Sequence, residues 1–109
     1  MQRVTLVTYE TKPDRAAENE ALSRKVFDEL RARRPGDVAY GLFKSADGAT
    51  FVHLFVNFAQ DDSAVLTDLP SFVAFQANIA DRCVTPPDAT RYAVNLVESY
   101  GLESAVVEA

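Results

Sequence analysis

His53 is the only histidine in the chain. It stands mid-run in Thr-Phe-Val-His-Leu-Phe-Val-Asn-Phe, residues 50–58. An imidazole titrates near neutrality, which suits a general base or a hydrogen-bond donor to a phenolic oxygen. Strand alternation puts Asn57 on the same face as His53, where an amide can orient a carbonyl or stabilise an oxyanion. Tyr40 and Phe55 belong to that face too, and with Tyr9 and Tyr92 they are candidates to line an aromatic cavity. Phe72 and Phe75 offer a flat apolar wall for a ring-shaped ligand. Each has a plainer reading: a strand histidine satisfied by a neighbour, an asparagine bonding a nearby loop, tyrosines with a wet hydroxyl, phenylalanines in a core. Arg91 shares a strand face with Asn95 and either attracts an anionic ligand or stays a solvated charge.

Other chemistries find little support. Cys83 is the single cysteine; without a partner thiol or Cys-x-x-Cys spacing it reads as a buried, inert thiol. Asp61 and Asp62 read as helix-cap residues, and one His with scattered carboxylates argues against a metal site. No phosphate-cradling glycine loop, nucleophile elbow or basic patch is present. The net charge of −5 disfavours nucleic acid and anionic membrane as partners. No apolar run approaches the ~20 residues of a membrane span. The first residues carry no signal-peptide core, so a reducing, cytoplasmic setting is the default expectation.

The elements that would position these side chains follow from periodicity. A chain of 109 residues, 48% apolar and 25% charged, suits one domain over residues 1–109. Residues 3–9 alternate as a first strand. Thr11 and Asp14 have capping-box spacing, and Pro13 fits a first helical turn. The helix then runs to about Arg34, with Ala17, Leu22, Val26, Phe27 and Leu30 as its buried stripe and Pro35-Gly36 as its stop. Asp47-Gly48 between two apolar runs predicts a β-hairpin with a tight primed turn. Counting outward from a two-residue loop sets Val38, Tyr40, Leu42 and Lys44 beside Phe51, His53, Phe55 and Asn57 on one face. Ala39, Gly41 and Phe43 then lie beside Val52, Leu54, Val56 and Phe58 on the other. A second helical region spans about residues 63–82, divided or kinked at Pro70. Phe72, Phe75, Ile79 and Cys83 share its face. Thr85-Pro86-Pro87-Asp88 reads as a loop, and residues 90–100 as a fourth strand ended by Gly101. The tail from Leu102 onward is too short to assign.

Strand, helix, strand, strand, helix, strand is the order of the ferredoxin-like split βαβ fold, an α+β arrangement on a four-stranded antiparallel sheet. Two helices cover one sheet face only, yet both hairpin faces are apolar. Leaving roughly six large apolar groups wet, at ~1.5–3 kcal/mol each, would forfeit an amount comparable with a domain's whole stability of ~5–15 kcal/mol. A homodimer packed through the open sheet face resolves this.

With these elements the chain resembles the dimeric α+β barrel proteins, and among them the antibiotic-biosynthesis-monooxygenase-like family. The most particular segment is Leu69-Pro70-Ser71-Phe72-Val73-Ala74-Phe75, similar to the family's small-Pro-x-Phe-x-x-Phe start of its second main helix, with Leu69 in the small residue's place. The family's frequent His shortly before this Pro is replaced by Val65, Leu66, Thr67 and Asp68, and its Trp near the end of the third strand has no counterpart. The resemblance implies a cofactor-independent monooxygenase acting on a quinol-like or polyketide-like aromatic substrate, with no metal and no cofactor. His53 would then be the base, Asn57 its companion, and Tyr40, Phe55, Phe72 and Phe75 the substrate wall. The alternative is a non-catalytic module that binds a small apolar molecule or serves assembly; haem handling ranks behind both.

Overall fold

The computed structural model describes residues 1–59 and 65–102. The elements are β1 (Gln2–Thr11), a 3-10 turn (Pro13–Arg15), α1 (Ala16–Arg33), β2 (Val38–Lys44), β3 (Thr50–Asn57), α2 (Pro70–Gln76), α3 (Ile79–Arg82) and β4 (Cys83–Val94). The strands form one antiparallel sheet in the order β2-β3-β1-β4. This is the ferredoxin-like α+β arrangement.

The hairpin register is the one counted from the sequence: Tyr40 faces Phe55, Leu42 faces His53 and Lys44 faces Phe51. The turn itself differs. Ser45 N–H donates to Thr50 O at 2.8 Å and Gly48 N–H to Ser45 O at 2.9 Å, which closes a four-residue loop. Only Gly48 in this loop has positive φ, at 78°. Asp47 instead spends its carboxylate on the ascending strand, accepting from the Ala49 and Thr50 amides at 2.8 Å each. Moving from a two- to a four-residue loop takes one residue from each strand, so the register survives.

The Phe51, His53 and Asn57 side of the sheet meets the helices. Tyr9, Val26, Phe51, Leu69, Phe75 and Cys83 form the packed core there. The α1 stripe departs from expectation. Its fully buried residues are Asn19, Ser23 and Val26, whereas Ala17 is exposed and Leu22, Phe27 and Leu30 are half-buried. A polar pair faces the sheet because the tyrosine hydroxyl of β1 lies beneath it. Thr11 caps nothing; it ends β1 and donates to Ala49 O at 3.2 Å. At the other end Arg34 takes the left-handed conformation, φ 51°, and its N–H returns to Leu30 O, so the helix stops just before Pro35.

Pro70 opens α2 rather than kinking a longer helix, with residues 65–68 forming a turn before it. The start of the expected helical region and its cap residues Asp61 and Asp62 lie outside the described residues, as does the tail beyond Leu102. Glu29 of α1 accepts both Ser71 N–H at 3.0 Å and Ser71 Oγ–H at 2.5 Å, tying the start of α2 to α1. The helical face does not run on to Cys83: Asn78 at φ 60° breaks it, and Cys83 already belongs to β4.

The largest correction concerns β4, which spans Cys83–Val94 rather than residues 90–100 and contains the expected proline loop. Proline is admissible because β4 is an edge strand and its register slips twice. Thr8 faces Asp88 while Glu10 faces Thr85, so Pro86 and Pro87 fall inside the bulge where no ladder bond is required of them. Asn95 lies beyond the strand, where the chain is held by Leu96 N–H donating to Gln2 Oε1 at 2.7 Å.

Candidate functional site

A cavity of about 610 Å³ lies between the helix side of the sheet and α2, within the usual size for a small-molecule site. His53, Asn57, Tyr40, Phe55, Phe72 and Phe75 all line it. Tyr9 and Arg91 join them, while Tyr92 points to the opposite sheet face and stays half exposed, at 50%. The cavity is shaped by strand register. Tyr40, Phe55, Thr5 and Arg91 form one row across all four strands, and His53, Val7 and Ala89 continue the next.

The walls are aromatic. Phe27 of α1 stacks on Tyr40 with centroids 4.7 Å apart and rings nearly parallel, and Phe55 meets Tyr40 edge-on at 5.7 Å. Phe72 and Phe75 approach at 6.1 Å, and Phe75 reaches the His53 ring at 5.5 Å. These two phenylalanines therefore serve core and cavity together, since Phe75 is buried in the core cluster.

The polar groups form a chain. Tyr40 Oη lies 2.6 Å from His53 Nδ1, and Tyr9 Oη lies 2.7 Å from His53 Nε2. Asn19 Nδ2 donates to Tyr9 Oη at 2.8 Å, and Arg82 Nε donates to Asn19 Oδ1 at 3.3 Å. The Arg82 guanidinium is itself buried, 1% exposed; it donates to Phe75 O at 2.7 Å and Ala77 O at 3.1 Å and sits over the Phe75 ring. Burial pushes the His53 pKa down to about 4, so the imidazole is neutral at physiological pH. Burial also raises Tyr9 to about 12, opposed by the Asn19 hydrogen bond and the Arg82 charge, and raises Tyr40. His53 is thus a neutral ring bonded on both nitrogens. That makes it a weaker base than the free imidazole read from the sequence.

Asn57 is 2% exposed, and its Oδ1 accepts Ala59 N–H at 2.9 Å. That bond fixes the amide orientation and is the loop contact the plainer sequence reading named. Cys83 sits in the core, where burial raises its thiol. Among the described residues no three His, Cys, Asp or Glu side chains gather as a metal site. No helix among them is long and apolar enough to cross a membrane.

Sequence reasoning missed Asn19 and Arg82. The signal was present for Asn19: with Ser23 and Val26 it recurs at spacings of four and three, but a polar pair on a helix does not announce itself as a buried face. Arg82 carries no such pattern; only the fold brings it under Asn19.

No protein-family model and no curated protein matches the sequence. Solved structures do. A candidate antibiotic biosynthesis monooxygenase from Caulobacter crescentus superposes with a TM-score of 0.71 at 20% identity, covering 89% of this chain and 91% of that one. A similarly described Nitrosomonas europaea protein gives 0.70 at 21% identity, with 85% and 89% covered. The chain has the antibiotic-biosynthesis-monooxygenase-like fold. A mutant of SnoaB, a cofactor-independent oxygenase from Streptomyces nogalater, shares this fold at a TM-score of 0.64 and 15% identity, covering 88% of this chain and 95% of that one. In the antibiotic-biosynthesis-monooxygenase-like frame the Leu69–Phe75 resemblance gains a structural meaning, since Pro70 opens α2 and turns Phe72 and Phe75 to the cavity.

Proposed function

We propose that this chain is a cofactor-independent monooxygenase that oxidises a quinol-like or polyketide-like aromatic substrate in the cavity beneath α2. The observation that carries the reading is the cavity itself: about 610 Å³, walled by Tyr40, Phe55, Phe72 and Phe75, with His53 and Asn57 at its polar edge. Its fold relationship to a cofactor-independent oxygenase supports the reaction class. In such a reaction an acidic aromatic C–H or O–H gives its proton to a water molecule, the anion passes an electron to O2, and the proton returns to the peroxide formed next. Recombination forms the C–O bond; breaking the O–O bond then leaves one oxygen on carbon and releases the other as water. The substrate supplies the electrons, so the protein's part is to hold the ring, exclude bulk water and favour the anion. Phe72 and Phe75 do the first two, and the Tyr40–His53–Asn57 edge does the third.

The decisive measurement is oxygen uptake with reduced naphthoquinols and anthrones, above the rate without protein. Uptake that falls on His53→Ala and on Phe72→Ala supports the reading; no uptake with any compound overturns it.

The outer sheet face completes the proposal. Phe43 is 58% exposed there and Leu6 37%, with Val4, Val52 and Leu54 half-buried beside them. Two copies packed through this face would bury it, as reasoned from the hairpin. Light scattering at micromolar concentration tests the assembly: a 24 kDa particle is expected, twice the chain's 12.0 kDa, and Phe43→Glu should return it to one chain.

A further inference from the structure

The Arg82–Asn19–Tyr9–His53–Tyr40 chain has a direction, which follows from donor and acceptor counting as far as Tyr9 and from hydrogen-bond geometry beyond it. A guanidinium only donates. Arg82 Nε–H therefore requires the oxygen of the Asn19 amide, which leaves Asn19 Nδ2 to donate to Tyr9 Oη. Tyr9 then accepts from Asn19 and has one proton to give. The acceptor aligned with it at 2.7 Å is His53 Nε2; Ser23 Oγ, the other polar atom on this side of α1, donates to Asn19 O at 2.8 Å and keeps its lone pairs, so it is the competing acceptor. With Nε2 as acceptor, a neutral His53 carries its proton on Nδ1 and donates to Tyr40 Oη. The opposite tautomer would aim two donors at the Tyr9 oxygen in a site only 3% exposed, and would turn the phenol's own proton away from its 2.7 Å contact with Nε2 toward Ser23 Oγ.

We propose that buried Arg82 and Asn19 act through Tyr9 to hold His53 as the Nδ1–H tautomer, so that Tyr40 presents its hydroxyl proton to the cavity and selects a ligand with an acceptor oxygen there, a carbonyl, enolate or phenolate. This rests on the reading of the cavity as a ligand site and sharpens it. Tyr40 is the ligand-contacting donor, and His53, Tyr9, Asn19 and Arg82 are positioning residues. The chain does not pull a proton off the substrate; it stabilises the oxygen anion left when one departs. Phe27 stacked on the Tyr40 ring and Phe55 against its edge hold that hydroxyl in place.

With a single histidine in the sequence, the test is clean. Long-range 15N–1H correlation on the imidazole of the wild-type protein should show a protonated Nδ1 and an unprotonated Nε2; the reverse pattern overturns the proposal. Asn19→Asp is nearly isosteric and keeps an oxygen for Arg82, but offers Tyr9 only an acceptor. The chain should reverse, moving the His53 proton to Nε2, although residue 19 touches neither His53 nor Tyr40. An unchanged tautomer in a folded Asn19→Asp protein counts against it. For the ligand, 2-methyl-1,4-naphthoquinone and 2-methylnaphthalene are the paired probes. Tyr40→Phe should weaken the quinone about tenfold, the size of one hydrogen bond, and leave the hydrocarbon unchanged. Equal loss for both, or binding of neither to wild type, removes Tyr40 as the ligand's donor. Oxygen uptake is independent of these outcomes: a reversed tautomer with normal uptake sinks this inference alone, and an Nδ1–H tautomer without uptake sinks only the oxygenase reading.

Discussion

The two faces of the sheet are made from the same strands, one residue out of step, and they do opposite things. Phe51, His53, Phe55 and Asn57 look toward the helices; Val52, Leu54 and Val56 look away. The covered face mixes rings with a buried line of hydroxyl, imidazole, amide and guanidinium, each satisfied by the next. The outer face has no comparable line among the described residues; Val4, Leu6, Phe43, Val52, Leu54 and Val56 make its middle apolar, with Thr8 and Glu10 toward one end. A polar group is tolerated in an interior when its partners are fixed, and fixed partners require a scaffold on both sides. The helix side supplies one through α1 and α3. The outer side has none within the chain, so its apolar groups Leu6 and Phe43 stay exposed in a single copy.

The same substitution on both faces should separate these roles. Phe51→Ala removes a ring with no exposure and should cost about 3–5 kcal/mol in urea unfolding. Phe43→Ala should cost under about 1 kcal/mol in dilute protein, and more as concentration rises if two copies meet there. Similar costs at every concentration would erase the distinction between the faces. Next in size is Arg82→Met, which keeps the bulk but leaves Phe75 O, Ala77 O and Asn19 Oδ1 without their donor; about 2–4 kcal/mol is expected from the orphaned groups. A loss below 0.5 kcal/mol, on the order of a surface change, would mean the guanidinium contributes no more than its volume.

The covered face should also respond to pH. His53 falls from an ordinary 6.5 to about 4 in the folded protein, so between these values the unfolded chain binds a proton that the folded one refuses. Stability from this group is complete above about pH 6.5, declines as pH drops toward 4 and levels below it, by up to about 3 kcal/mol. Comparing wild type with His53→Gln at pH 7.5 and 5 should show a smaller acid loss in the variant; parallel losses would place the acid sensitivity elsewhere. A small effect is expected at Ser71→Ala, about 1 kcal/mol in urea unfolding, because Glu29 then loses one of its two bonds to α2.

Some of this was legible without a fold. Asp47-Gly48 and the apolar alternation around it determined the hairpin pairing, because a one-residue slip would turn each run's face over and the position of the turn excludes longer slips. The same alternation placed His53, Asn57, Tyr40 and Phe55 on one face, and the Pro70-x-Phe72-x-x-Phe75 spacing brought the helical wall to it. The β4 boundary was not legible. A Pro-Pro pair means loop unless a strand lies at a sheet edge and bulges, and edge position depends on the order of all four strands.

What the chain determines by itself is therefore local: periodicity, turn residues and the identity of each face. Which face is covered, whether Asn19 meets Tyr9, and whether Arg82 ends beneath them depend on contacts between residues as many as 63 positions apart. Those contacts exist only once α1 and α3 are packed on the sheet, and the proton direction through His53 is a property of that packing, because no histidine carries its tautomer in its sequence neighbours.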